Sequence, residues 1–333
     1  MKKRLIVVSS IVSILFIAVF LLAISWGSNT IAVEDIIKTL IGAGTPLQAV
    51  TIWDIRMPRI AVAIIVAICL STAGCILQSI TKNELAEPGM IGINAGAALA
   101  VVFLISSGQS TYYDTIGDMA LFIMPIVAII GALLSGGLIY RLSYKKGISP
   151  SRLILTGIGV NVGINAFISL YQLNMSKGDY NQVLTWISGS LWGSKWEFFF
   201  LITPLVAIFL GLTIWKMKIL DVLDLGDEIA TGLGVRVERE RKTLFFYAIA
   251  LAGLATSVAG NIAFLGLLGP HIAKRIVGPV HRRQIPLAAL INCIIIILAD
   301  SISKNLFSPI EIPVGITIAI IGVPYFIYLM MKE

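Results

Sequence analysis

Trp215-Lys-Met-Lys-Ile-Leu-Asp-Val-Leu-Asp-Leu-Gly-Asp-Glu-Ile-Ala-Thr-Gly-Leu-Gly-Val-Arg-Val-Glu-Arg-Glu-Arg-Lys242 interrupts a chain otherwise built from long uncharged runs. Phe198–Trp215 leads into it and Thr243–Pro270 leads out, both without a charged residue. The stretch between them is charged and short-periodic, which marks it as the main water-side feature of the chain. Asp224 or Gly226 can cap a helix start, Asp227 and Glu228 fall where the positive end of the helix dipole favours acids, and Gly232 supplies a stop. Leu225, Ile229 and Leu233 recur every fourth residue. A two-turn helix here presents one apolar ridge, with Gly232 expected to end it before Leu233 joins. A water-facing ridge on a membrane protein is an offer to a partner, although a plain polar connection between two spans accounts for the same residues.

At 57% hydrophobic and 13% charged, with a mean hydropathy of +0.94, the chain has too few charges to cover a soluble surface. It also has too many apolar residues for one soluble core, so it belongs in a bilayer. Nothing in its 333 residues resembles a linker to a second, soluble unit, and residues 1–333 read as one membrane domain with a water-side loop at about 216–242. Cys69, Cys75 and Cys293 lie inside apolar runs without metal spacing and read as packing residues. Met1-Lys-Lys-Arg4 precedes an apolar run ending at Trp26. That run is longer than a signal h-region and lacks a small-x-small cleavage site, so it reads as a retained span that starts inside.

Runs without charge extend over Leu5–Glu34 (Glu34 closing the run), Ile60–Thr81, Pro88–Tyr113, Met119–Tyr140, Leu153–Ser176, Phe198–Trp215, Thr243–Pro270, Gln284–Ala299 and Ile312–Met331. Each is near or above the roughly 20 residues a crossing helix needs. Charge adds a tenth pass. Lys216, Lys218, Arg236, Arg239, Arg241 and Lys242 form one basic cluster, and Lys274, Arg275, Arg282 and Arg283 form another; both belong on the cytoplasmic side. The chain must leave and return between Lys242 and Lys274, and two full spans would need about 40 residues where only 31 are available. One pass is therefore short. Gly260, Gly266, Gly269 and Pro270 suit a broken helix that lines a cavity. With ten passes and both termini inside, 19 of the 25 Lys and Arg fall on the inner side, giving it +10 and the outer side −3. The basic balance is thus a topology signal and carries no indication of nucleic acid.

Gly92-Ile-Asn-Ala-Gly96 and Gly159-Val-Asn-Val-Gly163 have the spacing that lets helix backbones approach. Both also carry an amide, Asn94 and Asn161, and Asn165 lies one turn past Asn161; such a small, mildly polar face can line a path for a polar solute. No GxxxxGK[ST] phosphate loop occurs, and no mid-span Asp, Glu, Lys or Arg stands out as a proton or sodium relay. The chain therefore needs its driving force from another polypeptide. No nucleophile–base pair or two-histidine metal spacing is visible, and no catalytic, metal or cofactor site is expected. His271, beside Gly269 and Pro270, reads as a hydrogen-bonded structural or gate-side residue.

Several blocks, in order from Asp54 to the end, resemble one known family. They are Arg56-Met-Pro-Arg59; Gln78, Asn83, Leu85-Ala86 and Pro88-Gly-Met-Ile-Gly92; Trp186-Ile-Ser-Gly-Ser-Leu-Trp-Gly193; Gly232-Leu-Gly-Val235; Gly266-Leu-Leu-Gly-Pro-His271; His281-Arg282; Ala299-Asp300; and Pro313-Val-Gly315. The chain resembles the FecCD-type permease subunits of ABC importers for iron–siderophore complexes, haem and cobalamin. It departs from the family pattern at Glu84, where the family carries proline, at Val280 in place of aspartate, and at Lys304 in place of arginine. The resemblance implies an all-α polytopic membrane protein of about ten transmembrane helices, in the type II ABC importer permease architecture and dimeric. It implies ATP-binding subunits inside, an extracytoplasmic substrate-binding protein outside, a second permease chain, identical or homologous, and surrounding membrane lipid. Leu225, Asp227, Glu228, Ile229, Ala230, Leu233, Gly234 and Val235 then match the loop that couples to the ATPase. Arg56, Arg59 and Lys304 match the outer cations that meet acids of the binding protein, and interfacial snorkelling is the plainer reading of the two arginines. The expected location is the cytoplasmic membrane, the expected cargo a ferric siderophore, with haem or cobalamin as alternatives. An ATP-independent channel or secondary carrier is the competing class, and the missing intramembrane acids argue against it.

Overall fold

The computed structural model describes residues 2–27, 30–107, 120–145, 147–306, 308 and 310–332, and these are helical apart from their connections and one isolated bridge between Tyr144 and Ile148. The chain order is α1 (Lys2–Ser25), α2 (Val33–Leu40), α3 (Pro46–Ala49) and a π-helical turn (Val50–Arg56) that runs directly into α4 (Met57–Thr81). Next come α5 (Ile93–Ser106), α6 (Ala120–Ser143), α7 (Pro150–Gln172), α8 (Lys177–Ile187), α9 (Trp196–Asp224) and the short α10 (Asp227–Gly232). The last four are α11 (Val237–Ala259), α12 (Leu265–Val277), α13 (His281–Asn305) and α14 (Val314–Lys332). The part of the Pro88–Tyr113 run beyond Ser107, and Met119, lie outside the described residues.

Eight of these helices are long and apolar enough to cross a membrane. The remaining two limbs of the expected ten are α5 and α12, which are shorter. At 13 residues α12 is about 20 Å long, well short of a hydrocarbon core of about 30 Å. It follows α11 through the irregular stretch 260–264, so the return between the two basic clusters is the broken, buried limb that the residue count required. Its exposed backbone ends are tolerable because protein, and not lipid, surrounds them. Asn292 on α13 donates to the Leu265 carbonyl at 2.6 Å, and Gln284 donates to the Pro270 carbonyl at 3.2 Å.

Helix α4 is the centre of the bundle and packs against α9, α11, α12 and α13. Small residues make that possible. A Cβ on Gly74 would land on the Gly266 carbonyl, so α4 and α12 meet backbone to backbone. The three cysteines are buried and unpaired within this apolar interior. The two Gly-x-x-x-Gly motifs separate at this level. Gly96 sits against Gly131 and Ser135 of α6, and Ser135 donates to the Gly92 carbonyl at 2.8 Å, so the first motif packs α5 on α6. The second does not pack within the chain: a Cβ at Gly159 or Gly163 would meet no atom within 4 Å, and the exposed side chains of Ile158 and Val162 flank them. Spacing alone is the same in both cases; only the direction in which each helix faces distinguishes them.

Candidate functional site

The α10 end of the bundle is built on charge. Gly226 is the N-cap of α10, which resolves the choice between Asp224 and Gly226, since Asp224 closes α9. The stop is displaced from its expected place. Gly232 is the last helical residue, but Gly234 adopts the left-handed conformation, with φ +82°. Its N–H bonds the Thr231 carbonyl and that of Val235 bonds the Ala230 carbonyl, the paired closure that favours glycine after a helix. This closure brings Leu233 onto the ridge instead of excluding it. Leu225, Ile229 and Leu233 are 57%, 53% and 62% exposed, while Ala230 on the opposite face is fully buried. Glu228 and Gly234 are also exposed, and Val235 is half-buried.

Asp227 points away from the ridge. Its carboxylate receives both oxygens' worth of contact from Arg241 Nη2, at 2.9 Å each, and a third bond from Lys82 Nζ at 2.7 Å. Burial by itself would raise the Asp227 carboxyl, and the hydrogen bonds from Lys82 and Arg241 more than reverse this, holding it below its ordinary range. Arg241 is 2% exposed, and its Nη1 donates to the Ile148 carbonyl at 3.0 Å. Glu238 completes the cluster, accepting from the Ile148 N–H at 3.0 Å. In the sequence Arg241 is one cation of the inner-side cluster. Its ordinary signal, one basic residue in a basic cluster, gave no reason to single it out.

Two neighbouring clusters brace the same end. Glu84, the departure from the family's proline, accepts from Lys274 at 2.8 Å and so ties the α4–α5 connection to α12. The bond from Lys274 is the main reason its carboxyl lies below the ordinary range. His271 Nδ1 bonds the Tyr325 hydroxyl at 2.6 Å, and Arg275 Nε donates to His271 Nε2 at 3.1 Å, so the histidine joins α12 to α14. The second cluster is Ser79, His281 and Asp221, linked in that order at 2.7 Å and 2.7 Å. Its order resembles a hydrolase triad. Here, however, Ser79 and His281 are buried where α4, α9 and α13 meet, and Asp221 also accepts the His281 backbone N–H at 2.8 Å, which caps α13. The arrangement clamps three helices.

At the opposite end, the three cations expected to meet a partner are already engaged within the chain. Arg59 forms a two-point bond to Asp300, its shortest contact 2.8 Å, and reaches Glu311 at 2.9 Å. Arg56 is 7% exposed and donates to the carbonyls of Ile24 and Ser25, and Lys304 donates to the Ala23 carbonyl at 3.3 Å. The five charged groups share one corner with a net charge of +1. Beside it, an open cleft of about 860 Å³ is lined by Asn181, Gln182, Trp186, Trp192, Phe198 and Glu311, among others.

The three candidate path residues do not share a face. Asn94 is 1% exposed; it donates to Asn261 at 2.8 Å and accepts from Thr256 at 3.1 Å. The backbone of α5 turns Asn94 toward α11 and the 260–264 stretch, where it bonds between helices. Asn161 and Asn165 lie on α7, bonded to each other at 2.8 Å, and Asn165 is exposed.

The model of the FecCD transport family matches residues 15–332. The chain belongs to the FecCD transport family. The iron(3+)-hydroxamate import system permease protein FhuG of Bacillus subtilis is 44% identical over 98% of this chain and 97% of its own length. The iron-uptake system permease protein FeuC of the same organism is 35% identical over 96% of each chain. The hemin transport system permease protein HmuU of Yersinia pestis is 32% identical over 96% of this chain and 95% of its own. Among solved structures, a metal-chelate type ABC transporter in an inward-facing conformation matches all of both chains with a TM-score of 0.85 at 26% identity. The family and fold expectations hold: among the described residues the chain is nearly all helical, with eight helices long and apolar enough to cross a membrane, as suits a multi-pass permease.

Proposed function

We propose that this FecCD permease moves a ferric siderophore across the cytoplasmic membrane as the transmembrane subunit of an ATP-driven importer. The observation that carries the reading is the α10 ridge: three large apolar side chains held in the open, Ile229 on a six-residue helix and Leu225 and Leu233 at its two ends, in a chain of this family. ATP-binding subunits seat on Leu225, Ile229 and Leu233, with Glu228, Ala230, Gly234 and Val235 shaping the same loop. The α10 end is the cytoplasmic end, both termini lie on that side, and residues 1–333 act as one membrane domain. A second permease chain, identical or homologous, packs beside this one. An extracytoplasmic binding protein docks at the Arg56, Arg59 and Lys304 corner, where the excess of one positive charge favours an acidic partner. The chain itself performs no catalysis in this reading, and hydrolysis takes place in its partner subunits.

Within the siderophore class a hydroxamate chelate is favoured. The 44% identical relative is named for iron(3+)-hydroxamate import. The aromatic and amide lining of the outer cleft suits such a cargo as well, because three singly charged hydroxamates around Fe(III) give an uncharged complex. The test is uptake of radiolabelled ferric trihydroxamate, ferric tricatecholate, haem and cobalamin by a deletion strain carrying the chain with its partner subunits. Uptake of the hydroxamate alone supports the reading. Preferential uptake of haem or cobalamin overturns the cargo, and uptake of any of them without ATPase subunits overturns the importer.

A further inference from the structure

Helix α10 is too short to hold its own position. Six residues form little more than one turn, and its two joints, Gly226 with φ +114° and Gly234 with φ +82°, lie in backbone conformations with low cost for glycine alone. Beyond the burial of Ala230, the side chain that fixes its orientation is Asp227, and the group that receives Asp227 is Arg241. A guanidinium can do this and more, because its fork presents donors in two directions at once. One nitrogen faces Asp227 while the other faces the Ile148 carbonyl in the α6–α7 connection, two residues before Pro150 opens α7. Asp227 in turn holds Lys82, the C-cap of α4 and the start of the α4–α5 connection.

These two branches meet again. The α4–α5 connection lies against α7: the Gly89 carbonyl accepts from Asn161 at 3.4 Å, a Cβ on Gly157 would stand 2.7 Å from the Ile91 carbonyl, and one on Gly92 would stand 3.1 Å from that of Gly157. Helix α7 is the one whose Gly159 and Gly163 face open space. We infer that Arg241 is a positioning residue that couples displacement of the α10 ridge to α7, directly through Ile148 and indirectly through Asp227, Lys82 and the α4–α5 connection. The inference rests on the reading of α10 as the ATPase seat. Its content is mechanical: Arg241 is buried and bonded on both sides, so displacing Asp227 or Ile148 leaves the guanidinium uncompensated in the interior, while the partly exposed Asp227–Lys82 pair carries the second branch more weakly.

The experiment uses the complete importer, with ATPase subunits and binding protein, reconstituted in proteoliposomes, and reads chelate transported per ATP hydrolysed. Arg241→Gln and Lys82→Gln should both keep the ATPase subunits co-purifying with the chain. The ratio should fall about ten-fold for Arg241→Gln and a few-fold for Lys82→Gln. Arg241→Lys should fall between wild type and Arg241→Gln, because a point charge cannot span Asp227 and Ile148 together. Asp227→Asn combined with Arg241→Gln should be no worse than Arg241→Gln alone, as expected for members of one route. A merely structural role would lower the amount of assembled importer and leave the ratio unchanged. That result, or an additive double variant, overturns the inference. Lys82→Gln covers the case in which Arg241→Gln fails to fold, since Lys82 is partly exposed; an unchanged ratio there also counts against the route. If the wild-type chain fails to retain ATPase subunits, the reading of α10 fails first and the relay falls with it.

Discussion

The two ends of the bundle use the same chemistry for opposite purposes. At each end an arginine makes a two-point bond to an aspartate: Arg241 to Asp227 at one, Arg59 to Asp300 at the other. Asp300 belongs to the long helix α13, so the Arg59 pair ties two spans, α4 and α13, into a fixed corner. Asp227 belongs to a six-residue helix between two glycine joints, so the Arg241 pair holds up a small element with an apolar outer face. An arginine–aspartate pair therefore has no single meaning. What its partners are attached to decides whether it locks a scaffold or presents a surface.

The largest expected effect breaks that contrast at the α10 end. Leu225→Asp with Ile229→Asp leaves the fold intact, because both side chains are exposed, and should abolish co-purification of ATPase subunits with the chain. Retention of those subunits would remove the ridge as their seat. At the other end, reversing Arg59 is a poor probe of docking. A carboxylate there would face the buried Asp300 as well as Glu311, and breaking such a pair costs about 3–5 kcal/mol. The expected outcome of Arg59→Glu is loss of folded protein in detergent extracts, whereas Arg241→Gln should still be recovered.

Docking is better tested by neutralising the other two cations of the same corner. Arg56→Gln with Lys304→Gln changes its net charge from +1 to −1. Binding-protein affinity should weaken about ten-fold in low salt, with a smaller difference at high salt. Equal affinity at all salt concentrations would separate this corner from docking. A smaller effect follows from Glu84→Pro, which restores the family residue and removes the bond to Lys274. Both side chains are partly exposed, so the loss should stay within about 1 kcal/mol in thermal unfolding, and uptake should continue.

The smallest effect concerns pH. A carboxyl held below its ordinary value adds stability above its unfolded value of about 3.9 and loses it as pH falls through its lower, folded value. Asp227 is such a group. Amide exchange across residues 225–235, corrected for its intrinsic rate, should quicken below about pH 4. Asp227→Asn should exchange quickly throughout and show no such step.

What the residue order settled by itself are the properties that depend on counting along the chain. Uncharged runs placed the spans, the interval between two basic clusters required one truncated limb, and period-four leucine and isoleucine marked the ridge. Length, net charge and local periodicity are one-dimensional quantities, and the helices obey them. What the tertiary structure alone decided is direction. Gly92–Gly96 and Gly159–Gly163 are alike as strings, yet one packs on α6 and the other faces outward. Asn94 looks like Asn161 until α5 turns it into the interior. Arg241 was one cation among many until folding brought Asp227, from 14 residues earlier, and Ile148, from 93 residues earlier, to the same guanidinium. Such encounters depend on which faces of distant helices meet, and a local pattern carries no record of that.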